Sequence, residues 1–167
     1  MMNFKPMFIL LFLGCLAGCT GYRLGSTLPP DVKKIYVPIF ANKSREPLIE
    51  NDATAATIAE LQKDGTLKVV NAESADVILE CTLTSVSLNP LRYDSTDVTK
   101  PNEYRMTLAA SFTLKRVRNQ EILCEASVIG ESTFSFFGNL VSAKQAALPK
   151  ASEDLAKRIV EKAIEAW

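Results

Sequence analysis

The chain has 167 residues, 19 basic and 19 acidic side chains, and no histidine. A formal net charge of zero leaves no bulk attraction to nucleic acid or to an anionic surface, so any anion must be met by a local cluster. Without histidine there can be no histidine-dependent triad, Cys–His dyad or histidine-bearing metal site.

Residues 1–18 have the layout of a secretory signal: the cation Lys5, an apolar block from Met7 to Leu13, then small residues ahead of Cys19. The block is too short to span a bilayer permanently. Leu16-Ala17-Gly18-Cys19 resembles a bacterial lipobox, which implies acylation of Cys19 on sulfur and, after cleavage, on its new amino group. Two or more chains anchor stably, at about 0.8 kcal/mol per buried methylene. Thr20, where an aspartate would argue for inner-membrane retention, directs the expectation to the periplasmic face of the outer membrane. Cleavage leaves 149 residues with 18 basic and 19 acidic side chains, a length that suits one domain with a proper core. Residues 19–30 read as a lipidated tether interrupted by Gly25 and Pro29-Pro30, and residues 31–167 as one domain.

Ile35 to Phe40 is a β-rich run in which Pro38 favours an edge strand or a strand end. From Leu48 to Lys63 the spacing turns helical, with Ile49, Ala53, Ala56, Ile58 and Leu61 as the apolar stripe and Asp64-Gly65 as the stop. Leu67 to Val70 is a short strand, and strand–helix–strand of these lengths predicts a parallel crossover.

Three period-two segments follow. Val77, Leu79, Cys81 and Leu83 oppose Glu80, Thr82 and Thr84. Tyr104, Met106, Leu108, Ala110, Phe112 and Leu114 oppose Arg105, Thr107, Ala109, Ser111, Thr113 and Lys115. Ile122, Cys124, Ala126 and Val128 oppose Glu125 and Ser127, after a hairpin link at Val117 to Gln120. A last helix is placed after Pro149, burying Leu155, Ala156, Ile159, Val160, Ala163, Ile164 and Trp167. The fold class is α/β: a two-layer sandwich with a mixed four- to five-stranded sheet and two helices packed on one face.

Cys15 leaves with the signal and Cys19 carries the lipid. Cys81 and Cys124 fall on apolar strand faces either side of a third strand. Two inter-strand steps of about 4.8 Å exceed the roughly 7 Å that bridged Cα atoms allow, so both are read as buried thiols. The opposite face of the longest strand is small and hydroxylic, with Thr107, Ala109, Ser111 and Thr113 flanked by Arg105 and Lys115. Threonine suits any solvated strand. The sharper reading is a surface that meets polar groups, such as the lumen wall of a membrane barrel. There is no Ser-x-x-Lys, no Gly-x-x-x-x-Gly-Lys and no Gly-x-Gly-x-x-Gly, and paired acids such as Glu153-Asp154 suit a solvated helix start. The chain reads as a binding or assembly protein without an enzyme's machinery, a metal or a cofactor.

Six blocks together resemble the LptE family of lipopolysaccharide-assembly lipoproteins. They are Cys19 to Leu24, Ile35 to Lys43, Leu67 to Val70 leading into Ala75-Asp76, Glu103 to Met106, Ser135 to Asn139, and Asp154 to Ile159. The resemblance spans essentially the whole mature chain. It implies two helices on a mixed sheet, and a protein seated in the lumen of the large outer-membrane barrel LptD. Such a protein helps the barrel assemble and helps lipopolysaccharide insert into the outer leaflet. It also implies lipopolysaccharide contact by basic side chains near one end of the sheet, for which Arg92 and Lys144 are the counterparts and whose phosphates suit charge-assisted contacts. Thr107, Ser111 and Thr113, with Arg105, become the partner-facing surface. The polar tail of some members has no counterpart after Trp167. The rival expectation is a lipid-anchored carrier holding an apolar ligand between helices and sheet.

Overall fold

The structure is a computed structural model that describes residues 28–95, 97, 99–135 and 138–165. The signal segment, Cys19, most of the tether, Phe136, Phe137 and Trp167 lie outside the described residues. In chain order the elements are β1 (Lys34–Tyr36), β2 (Ala41–Asn42), α1 (Ile49–Asp64), β3 (Lys68–Val69), a 3-10 turn (Ala72–Ser74), β4 (Val77–Tyr93), β5 (Pro101–Arg116), β6 (Ile122–Ser135) and α2 (Leu140–Glu165). Among the described residues the sheet has six strands in the order β3-β1-β4-β5-β6, with β2 also on β4. That is more than the four or five expected, because Ile35 to Phe40 is not one continuous strand.

Ile35 pairs with Val77 and Tyr36 with Ile78, then Ala41 pairs with Thr82 and Asn42 with Leu83. Four residues, 37–40, therefore stand against three of β4. The break contains Pro38, which has no N–H to give a ladder. The extra residue shifts the phase, so that Ile39 is exposed while Val37 and Phe40 are buried. The Phe40 N–H, freed from the ladder, donates to the buried Thr54 hydroxyl at 3.0 Å. The expected parallel crossover is present, with β1 and β3 adjacent and parallel around α1.

On α1, Ile49, Ala53 and Leu61 are buried as expected, whereas Ala56 and Ile58 are only half-buried. Thr54 and Thr57 take the remaining core positions. Each donates its hydroxyl to the carbonyl four residues back, Glu50 and Ala53, at 2.6 and 2.8 Å. That internal bond removes the cost of burying a hydroxyl.

The longest departure from expectation is β4, which runs on to Tyr93. Leu83 pairs with Ala110 and Ser85 with Ala109, so Thr84 is a bulge residue. The bulge reverses which parity faces the helices: Leu79, Cys81 and Leu83 are buried before it, and Val86 and Leu88 pack on the core after it. Period-two patterning read from sequence stops where the phase breaks. Arg92 accordingly lies on β4 near its end, not in a loop. Beyond it the hairpin tip closes on Asp97, whose carboxylate accepts from the Thr99 N–H and hydroxyl.

The last helix begins at Leu140 and carries Pro149 in its interior, nine residues later than its start. Its start is set by Asn139, whose side-chain oxygen accepts from Val141 N–H at 2.9 Å. The buried set Leu155, Ala156, Ile159, Val160, Ala163 and Ile164 agrees with the expected stripe. Both helices lie on one face of the sheet and share a single core with it. Among the described residues no helix is long and apolar enough to cross a membrane.

At the opposite end of β5, the inward-facing Arg116 is buried and forms ion pairs with Asp31 and Glu121. It lies 3.1 Å from Glu121 through Nε without hydrogen-bond geometry, so Asp31 is its main partner. Asp76 fastens the same corner by accepting from the Lys33 and Lys34 N–H groups at 3.0 and 2.8 Å. The Arg116 hydrogen bond holds the Asp31 carboxyl below its ordinary value of 3.8. Stability from this pair is therefore present above pH 3.8 and is lost as pH falls through the lower folded value. Asp31→Asn is expected to lower the thermal midpoint at pH 7, and the gap from the wild type should close in melts below pH 3.8. A gap that persists in acid would show that the carboxylate charge is not what Arg116 uses.

Cys81 on β4 and Cys124 on β6 are unbridged and buried, with Phe112 and Leu114 of β5 between them. Burial pushes the Cys81 thiol up to about 12 and raises that of Cys124, where the Lys162 charge opposes the shift. For a thiol raised in the folded state, stability is intact below the unfolded value of 9.0 and is lost as pH climbs toward the folded one. Alkylation of Cys81 at pH 8 should proceed only through unfolding, and become fast in denaturant; rapid labelling of the native protein would contradict its burial.

Candidate functional site

The sheet face turned away from the helices is built from rows that cross three strands. From the Arg116 end they are Ile78–Lys115–Ile122, Glu80–Thr113–Glu125, Thr82–Ser111–Ser127, Ser85–Ala109–Ile129, Ser87–Thr107–Glu131 and Asn89–Arg105–Thr133. The four middle residues Thr107, Ala109, Ser111 and Thr113 are half-buried by their cross-strand neighbours. Hydroxyl groups from all three strands surround them. Glu80, Thr82, Ser111, Thr113 and Glu125 line a shallow hollow of about 140 Å³. The two flanking cations are neutralised in place, Lys115 by Glu80 at 2.6 Å and Arg105 by Glu131 at 3.8 Å. This face has few exposed apolar side chains and little net charge; it is a broad hydroxylic surface. Ser85 and Ser87 extend it beyond the strand segment legible in sequence, because the Thr84 bulge hides them from a period-two reading, and Thr133 extends it on β6, which runs on past Val128 to Ser135.

Arg92 and Lys144 come to the same end of the sheet. β4 and β6 both terminate there, and α2 starts there immediately after β6. Arg92 is exposed and 3.5 Å from Glu103 on β5. Lys144 lies within the first turns of α2, not in a loop, and is ion-paired with Glu46. The loop that presents Glu46 is knotted by Asn42, whose amide donates to the Glu46 carbonyl and the Glu50 carboxylate, each at 2.7 Å. Its carbonyl oxygen accepts from Ser44 N–H and hydroxyl. Each cation thus already has an acidic partner in the fold. The Tyr104 and Phe134 rings stack with centroids 5.9 Å apart beside this end.

The interior between helices and sheet is filled: Phe112, Leu79, Leu83, Leu108, Leu155 and Ile159 are each under 2% exposed. A groove of about 570 Å³ lies instead between the helices, floored by Ala55, Ala56, Ala59 and Pro149 and rimmed by charged side chains. Among the described residues no group of acidic or cysteine side chains is placed to hold a metal ion.

No sequence among curated proteins matches the chain. Among solved structures, protein XCC0632 from Xanthomonas campestris superposes with a TM-score of 0.56 at 12% identity, covering 83% of this chain and 87% of that one. The hypothetical protein CT253 from Chlamydia trachomatis gives 0.56 at 9% identity, with 79% and 95% covered. A minor lipoprotein from Acinetobacter baumannii gives 0.52 at 12%, with 78% and 91% covered. These likenesses establish a shared fold. The family model described as LptE, Lipopolysaccharide-assembly, matches residues 32–163, and so takes in both helices, the whole sheet and both candidate cations. The chain belongs to the LptE family of lipopolysaccharide-assembly proteins.

Proposed function

We propose that this protein is a non-enzymatic outer-membrane lipoprotein, anchored on the periplasmic face by acyl chains on Cys19. It occupies the lumen of an LptD-like β-barrel, assists the barrel's assembly, and helps insert lipopolysaccharide into the outer leaflet. The observation that carries the barrel reading is the hydroxylic outer sheet face. A barrel lumen is lined by polar side chains, and a face of Thr and Ser exchanges water for such groups without burying an apolar patch or an unpaired charge. Of the five charged side chains on this face, Lys115 and Glu80, and Arg105 and Glu131, are already paired within it, and only Glu125 is left outside those pairs. The carrier reading needs space between helices and sheet, which the core side chains occupy.

The test is affinity purification of the tagged, lipidated protein from detergent-solubilised membranes. A stoichiometric large barrel whose gel mobility changes on heating supports the reading. Recovery of the protein alone, with a bound lipid, turns the assignment to the carrier.

Arg92 and Lys144 are the proposed contacts for lipopolysaccharide phosphates. Because Lys144 is held by Glu46, Glu46→Gln should strengthen lipopolysaccharide binding, while Lys144→Ser should weaken it. Equal affinity for wild type and both variants in a pull-down with labelled lipopolysaccharide would remove Lys144 from the contact.

A further inference from the structure

The free edge of β6 is closed at one point and open beside it. β6 ends the sheet, so every second residue turns its N–H and C=O away from β5. Glu131 is one of these: its N–H donates to the Asp154 carboxylate on α2 at 2.9 Å, and Arg158 holds that carboxylate at 3.0 Å. By strand alternation Ile129, Ser127 and Glu125 point the same way, and among the described residues no strand lies beyond them. On the opposite side the sheet ends in β3, two residues long and carrying Lys68, in the two-residue β2, and in β4 beyond Leu83, a stretch interrupted by Pro90 and by register shifts, all usual ways of blunting an edge. The stretch Glu125 to Glu131 has no proline, no lysine and no bulge. Alongside it runs a groove of about 300 Å³, lined by Ser127, Val128 and Ile129 and, from α2, by Arg158, Glu161 and Lys162. Ile129 is half exposed above it.

We propose that this open window, Glu125 to Ile129, binds an extended segment of the partner protein as an added β-strand. Backbone hydrogen bonds would supply the attachment and alternate side chains the selectivity. The occupant places an apolar side chain opposite Ile129 and a basic one opposite Glu125, which has no cationic partner among the ion pairs of the described residues. A second copy of this chain fits worse. The window is centred on Ser127, and antiparallel pairing of two copies there would set each Glu125 against Ile129, so neither carboxylate would meet an opposite charge. The inference rests on the barrel reading for the identity of the partner, and names the element by which that partner is held.

Amide hydrogen exchange of the full lipidated chain, alone and in its purified barrel complex, tests the edge directly. The Ser127 and Ile129 amides should exchange fast in the isolated protein and slow by roughly 100-fold in the complex, whereas Val128, paired within the sheet, is protected in both. Ser127→Pro removes an outward N–H without touching the β5–β6 ladder, and Glu125→Lys reverses the charge. Both should reduce barrel recovery at an unchanged unfolding midpoint, and if the proline variant fails to fold, the lysine variant and the exchange data decide. An intact complex in which both amides exchange as in the isolated protein overturns the added strand and leaves the barrel reading standing. Recovery of the wild-type chain without a barrel overturns that reading and the added strand with it.

Discussion

Gly130→Ala should destabilise the fold by about 3 kcal/mol or more, near the upper end for overpacking, and lower the thermal midpoint by about 10 °C. Gly130 lies on the helix-facing side of β6, opposite Leu108. A Cβ there would sit 2.5 Å from the Ala151 carbonyl oxygen, 2.5 Å from the Leu155 nitrogen and 2.6 Å from the Leu155 Cβ. Two of these atoms are helix backbone, so no rotamer change can make room. α2 would have to lift off β6, and with it the Asp154 carboxylate that caps the Glu131 N–H. Truncating Leu155 to alanine leaves its nitrogen and Cβ in place, so that second change should not rescue the first. Gly65 is the contrast: its φ of 76° favours glycine, but nothing lies within 4 Å, and alanine there should cost only about 1 kcal/mol. Urea unfolding of the two variants checks the ranking. A Gly130→Ala midpoint equal to that of the wild type would mean that α2 packs further from β6.

Ser111→Arg should separate binding from folding. The residue sits mid-sheet between Thr82 and Ser127, at a hollow whose rim carries Glu80 and Glu125. An arginine can lie across that hollow and meet either carboxylate, so the unfolding midpoint should stay within about 0.5 kcal/mol of the wild type. The same side chain places a new cation and extra bulk on the proposed partner surface, where it blocks close approach and where desolvating even an ion pair is costly. Barrel recovery in the affinity purification should fall at least roughly tenfold, which corresponds to about 1.4 kcal/mol. Thr107→Arg, between Ser87 and Glu131, should behave alike. Recovery equal to the wild type for both variants would take this face out of the interface.

The blocks that carry the family resemblance acquire physical roles in the fold. Asp76 ties the start of β1, Asn42 knots the loop that holds Glu46, and Asp154 caps the sheet edge. The roles of Asp76 and Asp154 do not follow from the residue types, because each is a hydrogen bond to a backbone distant in sequence, whereas Asn42 acts locally within its own turn. The signal segment and the lipobox at Cys19 were legible as short local patterns; they fall outside the described residues and stay a proposal.

Periodicity alone determined the two faces of β5, the buried stripe of α2 and the crossover around α1, since each depends on one unbroken repeat within one element. Tertiary structure decided where the repeats break. The Thr84 bulge extends β4 and turns Val86 and Leu88 inward, the extra residue around Pro38 divides one strand into two, and packing on β6 and α1 carries a helix through Pro149. It also decided what Thr54 and Thr57 do, because a hydroxyl bonded to its own helix can be buried where its residue type suggests water. The edge of β6 belongs to the same class: whether a backbone N–H is paired depends on which strand comes next in space, and that neighbour is not written in the strand itself.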